Sequence, residues 1–268
     1  GISDGFLAVA DLYIFSVRLR HTGLNIVDNI LRFLEPGIVG SNDGRYYKIT
    51  EQQRDEDGNV YPLCFGEEVG NCITHGVMAI LILFSLPYYS IRAYLRGGTI
   101  ETVGTAVFLI CLLFMFAGSC LYHSMPHETT HKYVFRKLDH IMILLAIAGT
   151  YTPICLKLMN NWKGYTILAI EWVMVIMGIL LKSIATKTYP KLSMTIYMVM
   201  GWLAIFILPT LIKKTQPIFI ILIALGGIMY TIGTFFYSKP QKRYFHFIWH
   251  IFIILASICH LLAILYFI

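Results

Sequence analysis

The chain has 268 residues, 57% hydrophobic and only 13% charged, with a formal net charge of +6. Average soluble domains carry about 25% charged residues, so this composition excludes an ordinary soluble globular protein. The positive balance does not mark a nucleic-acid binder, because the basic residues scatter over short inter-helix loops instead of gathering on one face.

Charge also divides the chain. Residues 1–72 hold 6 Lys/Arg against 11 Asp/Glu, whereas residues 73–268 hold 15 against 4. The first part is read as a cytoplasmic N-terminal extension and the second as a transmembrane domain. Within the extension, residues 5–17 (GFLAVADLYIFSV) are apolar but carry Asp11, and they fall short of the roughly 20 residues a membrane helix needs. With no positive segment before them and no small-residue cleavage site after, they are not expected to be a signal peptide. Apolar side chains at helical intervals over residues 6–34 predict an interfacial or core-facing helix. The Glu35-Pro36-Gly37 stop ends it. Residues 45–63 have a charged middle and an Asp57-Gly58-Asn59 turn signal, which suggests a small hairpin or a solvated loop.

From there the membrane segments follow in order. Ile73–Ile91 contains one histidine, and Thr102–Tyr122 contains no ionisable Asp, Glu, Lys or Arg. His140–Leu156 and Gly164–Leu181 come next, the latter interrupted by Glu171. Leu192–Ile212, Thr215–Ser238 and Tyr244–Ile268 are again free of those four residue types. An uncharged run of 18 or more residues is a candidate span. The expected fold is therefore all-α, a bundle of seven transmembrane helices joined by short loops. Alternate loops carry nine Lys/Arg (Lys132, Arg136, Lys137, Lys182, Lys187, Lys191, Lys239, Lys242, Arg243) against six in the others (Arg92, Arg96, Lys157, Lys163, Lys213, Lys214). That asymmetry predicts an inside N-terminus and an outside C-terminus. The cysteines give no redox signal, since Cys111, Cys120, Cys155 and Cys259 sit in membrane segments without paired spacing.

Topology then assembles a candidate site. His123 closes the second span, Asp139 opens the third, and His246 and His250 open the seventh. The end of an even helix and the start of an odd one lie on the same side, so all four share one membrane face. His246 and His250, four residues apart, project from one helix face at a separation of about 6 Å, a spacing suited to chelating one ion. Three neutral imidazoles with an open fourth position describe a catalytic zinc site. Taken singly, each has a plainer reading: His123 as an interface histidine, and Asp139 as a first-turn acid complementing the helix dipole. Ser119 lies one turn from His123, where its hydroxyl can help hold a bound water. Glu68, Asn71 and His75 recur at i, i+3 and i+7 at the same end of the first span, either capping it or supporting the site. His260 is ten residues beyond His250, about 15 Å along a helix, too far to share the ion. His127 and His131 read as loop residues.

These residues also carry a resemblance. "SCLYH" (119–123), "KLDH" (137–140), "AGTYTP" (148–153) and "HFIWH" (246–250) followed by His260 resemble the progestin and adipoQ receptor superfamily. "EEVGNCITHG" (67–76) is similar especially to its bacterial hemolysin III branch. The likeness covers residues 64–268 and leaves 1–63 outside. It implies a seven-helix fold, a zinc ion held by His123, His246 and His250, and an Asp139 that acts through the metal-bound water. Glu171 is not part of the pattern. An acid at mid-bilayer costs roughly 2.5–3.5 kcal/mol on insertion scales and is expected to face the bundle interior with a partner.

Zinc lowers the pKa of bound water to about 7 and polarises carbonyls, and Asp139 is placed to shuttle a proton. At a membrane face this suits a lipid amide or ester. The adiponectin-receptor branch of the resembled family is associated with ceramide hydrolysis, which points the same way. The leading reading is a zinc-dependent hydrolase of amide-linked lipids. The alternatives are a zinc-braced, non-catalytic regulator of membrane lipid state and a hemolysin-type membrane protein. Membrane lipids are the expected substrate or ligand; no protein partner is assigned to the extension. A retinal protein is excluded because the last span has no lysine for a Schiff base.

Overall fold

The structure, a computed structural model, describes residues 63–126, 129–184, 190–240 and 242–268, and all regular elements among them are helices. The helix expected over residues 6–34, the hairpin over 45–63 and the loop histidine His127 lie outside the described residues. The helices are α1 (Phe65–Ser124), α2 (Thr130–Pro153), α3 (Trp162–Ile184), α4 (Pro190–Trp202), α5 (Ala204–Lys214), α6 (Pro217–Tyr237) and α7 (Phe245–Phe267). A π-helical turn, Ile154–Leu158, extends α2. With α4 and α5 taken as one stretch, six of these helical segments are long and apolar enough to cross a membrane.

The longest, α1, has 60 residues and would measure about 90 Å if straight, three times the hydrocarbon thickness. It is not straight. Gly97 and Gly98 leave helical geometry, and Gly98 adopts φ 68°, a left-handed conformation that glycine reaches without a Cβ penalty. The chain turns back there, because Glu68 meets His123 and Cys72 meets Cys120. The first arm (65–96) therefore runs antiparallel to the second (99–124). It begins eight residues before the expected span Ile73–Ile91, so Glu67, Glu68 and Asn71 are helical and buried.

Along the first arm the faces separate by helical period. Ile73, Val77, Ile80 and Phe84 are exposed, while Asn71, His75, Met78 and Ile82 are buried. An exposed stripe this apolar has no place in water and is stable against lipid. The second arm carries the core: Phe108, Leu109, Leu112, Met115 and Phe116 are all within 4% of full burial. It packs closely on α2, since a Cβ on Gly104 would stand 2.9 Å from Pro153 Cα and one on Gly149 2.6 Å from Cys111 Cβ. Small residues at such crossings let backbones approach in a lipid environment. The same device joins α6 to α7, where Gly226 faces His260 and Ala256.

Two helix starts matter for the polar end of the bundle. Thr129 caps α2, its hydroxyl oxygen accepting from the Lys132 backbone N–H at 3.1 Å. Tyr244 precedes α7 with φ 62°, a left-handed backbone that costs about 1–2 kcal/mol outside glycine. It sets the direction of α7 two residues before His246.

Candidate metal centre

Three helices meet at the polar end: both arms of α1, the start of α2 and the start of α7. His123, His246 and His250 each offer a ring nitrogen, and the three nitrogens lie within 4.8 Å of one another. His246 and His250 follow from their i, i+4 spacing on α7, with Nε2 atoms 3.2 Å apart and ring centroids 4.9 Å apart. His123 comes from the last turn of α1, its ring centroid 4.7 Å from that of His250 and 5.3 Å from that of His246.

The tautomer of His123 is set by its neighbour. Its Nδ1–H donates to Glu68 Oε2 at 2.6 Å, which leaves Nε2 with a lone pair, buried and without a hydrogen-bond partner. His250 Nδ1 is likewise buried without a partner. Buried polar nitrogens are ordinarily satisfied. The unpartnered Nε2 of His123, beside the close Nε2–Nε2 pair of His246 and His250, fits a cation drawn between the three rings. In a tetrahedral site with Zn–N bonds of 2.0–2.1 Å, donors stand about 3.3 Å apart, so the His246–His250 pair already has that separation. A small inward shift of His123 completes the set. These residues could hold a metal ion, and imidazole donors suit Zn, Cu, Fe and Ni alike.

Behind His123 stands an ion pair. Glu68 Oε1 accepts from Lys132 Nζ at 2.7 Å, and the lysine also donates to the Met125 carbonyl at 3.2 Å. Its ammonium lies 4.8 Å from the Tyr122 ring centroid. Lysine, glutamate and histidine are all at most 6% exposed. A carboxylate hydrogen-bonded to a ligating histidine fixes its ring and raises its basicity, and here the lysine fixes the carboxylate in turn. Lys132 therefore belongs to the centre and not to a loop, where the charge pattern places it. A cation in the first turn of a helix, against the dipole, is the one sequence signal that could have singled it out.

Asp139 and Ser119 are both buried, and His123 and Ser119 both act on the Asp139 carboxyl. Arg136 and Lys182 also act on it electrostatically. His75 stacks on His250 with centroids 4.0 Å apart and places its edge on Phe116 at 4.9 Å. Neither ring nitrogen of His75, nor either polar side-chain atom of Asn71, has a hydrogen-bond partner among the described residues. All eight residues singled out in the sequence thus converge on one end of the bundle. His260 does not: it faces Ile223, donating from Nε2 to that carbonyl at 3.3 Å. His131 opens α2 and is exposed.

Sequence reasoning does not find the aromatic wall. Trp249 lies 4.9 Å from His246 and Tyr237 6.0 Å from it, and Tyr237 donates to His140 Nε2 at 3.1 Å. Trp249 and Tyr237 also line a cavity of about 120 Å³ that continues between α1, α2, α4, α6 and α7 past Met115 and Tyr151. An apolar cavity therefore begins beside the histidine cluster. Glu171, on α3, is fully buried, and neither carboxylate oxygen has a partner among the described residues.

A model of the family described as "Haemolysin-III related" matches residues 64–261. The chain belongs to that family. It is 34% identical over 201 residues to "Hemolysin-3 homolog" of Bacillus subtilis, covering 75% of this chain and 94% of the relative. It is also 34% identical to "Hemolysin-3" of Bacillus cereus, covering 75% and 92%. A more distant relative, the human "Monocyte to macrophage differentiation factor", is 24% identical over 226 residues, covering 82% and 92%. The chain is a multi-pass protein of the cell membrane, and its histidine cluster lies inside the matched region.

Proposed function

We propose that the chain is a zinc-dependent hydrolase of amide-linked membrane lipids, ceramidase-like in the bond it cleaves. The observation that carries this reading is a cluster of three imidazoles whose ring nitrogens lie within 4.8 Å of one another, with the Asp139 carboxylate acting on His123 and an apolar cavity lined by Trp249 and Tyr237 beside His246. His123, His246 and His250 would hold the zinc ion, which would supply Lewis acidity toward an acyl carbonyl and lower the pKa of bound water.

The chain's own residues do the rest. Asp139 takes a proton from the attacking water and returns it to the leaving amine. Ser119, buried and acting on the Asp139 carboxyl, is the residue to hold its orientation. Glu68 keeps the His123 ring turned, and Lys132 balances the charge of Glu68. Asn71 and His75 form the polar wall behind His250, while Trp249 and Tyr237 begin the apolar surface along which an acyl chain lies.

The chain crosses the bilayer seven times with its N-terminus inside. The reversal of α1 at Gly97–Gly98 supports two crossings by that helix, and the nine-to-six loop charge supports the direction. The centre then faces the cytoplasm. Single cysteines on a cysteine-free background test this: one beside Lys242 should resist an impermeant thiol reagent in intact cells, and one beside Lys213 should react.

The decisive experiment measures fatty acid released from ceramide-like amides by purified, zinc-loaded protein. Asp139→Asn should keep the metal and the fold but slow release about 10²–10⁴-fold. A metal that only braces α1 against α7 needs no proton transfer. Zinc-loaded wild type that cleaves neither amides nor simple esters would therefore replace the hydrolase with a lipid-responsive regulator.

A further inference from the structure

We propose that Cys72 and Cys120 form a reversible disulfide across the α1 hairpin, a modification site for small two-electron oxidants of the peroxide class. The two residues are 48 positions apart, yet their sulfurs lie 3.5 Å from one another. Both are free thiols and both are partly exposed.

The hairpin fixes this encounter. Its arms meet in successive rungs: Glu68 with His123 at 2.6 Å, Cys72 with Cys120, then His75 with Phe116 at 4.9 Å between centroids. The rung before and the rung after are a charged hydrogen bond and a packed ring pair, so the cysteines cannot slip out of register without breaking both. Closure to a disulfide needs an S–S length of about 2.05 Å, a contraction of roughly 1.5 Å. Gly76 leaves room beside the sulfur, since a Cβ there would stand only 3.1 Å from Cys120 Sγ. Three of the other four cysteines are placed differently: Cys64 donates to Glu67, and Cys111 and Cys155 are buried.

The chemistry balances without help from the centre. One sulfur attacks a peroxide oxygen, breaking the O–O bond and giving a sulfenic acid and one water. The second sulfur attacks the sulfenic sulfur, the S–S bond forms, and the hydroxyl leaves with the second thiol's proton as another water. Each sulfur loses one electron, and hydrogen peroxide is reduced to two waters. A dithiol reverses the bond by exchange. Both thiols are partly exposed, so a small neutral peroxide reaches them. Because Cys72 follows Asn71 and Cys120 follows Ser119 in the chain, the bond would tie the two arms together beside the histidine cluster.

The test uses the full chain, reduced, in detergent micelles. After hydrogen peroxide, catalase quenching and unfolding in dodecyl sulfate, the thiol titre should fall from six to four. The band on a non-reducing gel should remain monomeric, peptides holding Cys72 and Cys120 should be linked, and dithiothreitol should restore all six thiols. Cys72→Ser and Cys120→Ser should each prevent the loss of two thiols. An unchanged titre in protein of native far-UV spectrum would overturn the proposal, as would linkage confined to other cysteines. The linked peptide is read in wild type, so the proposal can fail even where a serine variant does not fold.

Discussion

Two of the glutamates buried in this bundle, Glu68 and Glu171, are treated in opposite ways. Glu68, on the first arm of α1, is 6% exposed and shares its two oxygens between Lys132 Nζ at 2.7 Å and His123 Nδ1 at 2.6 Å. Glu171, on α3, is fully buried and faces Tyr151 and Cys155 without a hydrogen bond to either. The Tyr151 hydroxyl is spent elsewhere, donating to the carbonyls of Met200 and Gly201 at 2.9 Å each. A carboxylate taken out of water is tolerated when its charge is answered. Glu68 is answered twice, and by doing so it orients a candidate metal ligand. The position of a buried acid in the sequence does not reveal which case applies; its neighbours across the helix interface do.

The largest effect should come from removing the cation that answers Glu68. Lys132→Met leaves the buried Glu68 carboxylate without its cation, and breaking a buried ion pair costs about 3–5 kcal/mol. A clear fall in thermal unfolding temperature in detergent, together with loss of bound metal, is expected. If the unfolding temperature holds, the ion pair is not a structural element and the contrast with Glu171 collapses.

A smaller effect isolates the histidine from the charge. Glu68→Gln keeps the shape but weakens the hold on the His123 ring, and mutation of such supporting partners costs about 10–100-fold in metal affinity. Chelator competition measures this directly. The variant His260→Ala, far from the cluster, should leave affinity unchanged, whereas His246→Ala should remove most of the metal. Full metal content in a His246/His250 double alanine variant would remove the centre altogether.

The smallest effect, and the one of opposite sign, belongs to Glu171. Replacing an unpartnered buried polar group by an apolar one of similar shape is neutral or stabilising, because no hydrogen bond is lost. Glu171→Met should therefore unfold at the same temperature as wild type or higher, with metal affinity intact. A destabilised Glu171→Met would reveal a partner for that carboxyl and erase the difference between the two glutamates.

Much of the centre is legible in the sequence, for identifiable reasons. The spacing of His246 and His250 is local, so helix geometry alone puts both rings on one face. His123 and Asp139 fall at the same end because spans alternate in direction. Lys132 escapes notice because loop charge counts treat a lysine as an orientation signal and say nothing of what its ammonium touches. The cysteines show no paired spacing, yet Cys72 and Cys120 meet through the reversal at Gly97–Gly98. Spacing along one helix cannot show a contact between two arms.

Composition and hydropathy by themselves determined that the chain lives in a membrane as helices, since only helices or closed barrels satisfy a backbone in lipid and the apolar runs have helical length. Local spacing determined that α7 presents two imidazoles together. Only the tertiary structure decided the rest: that Glu68 and Lys132 stand behind His123, that Trp249 and Tyr237 open an apolar cavity at the cluster, and that Glu171 has no partner among the described residues. The physical reason is that lipid makes the outer faces of these helices nearly interchangeable, so which inner faces meet depends on small-residue crossings and on a few buried polar contacts. Those contacts join residues dozens of positions apart, and their energies belong to the pair and not to either residue alone.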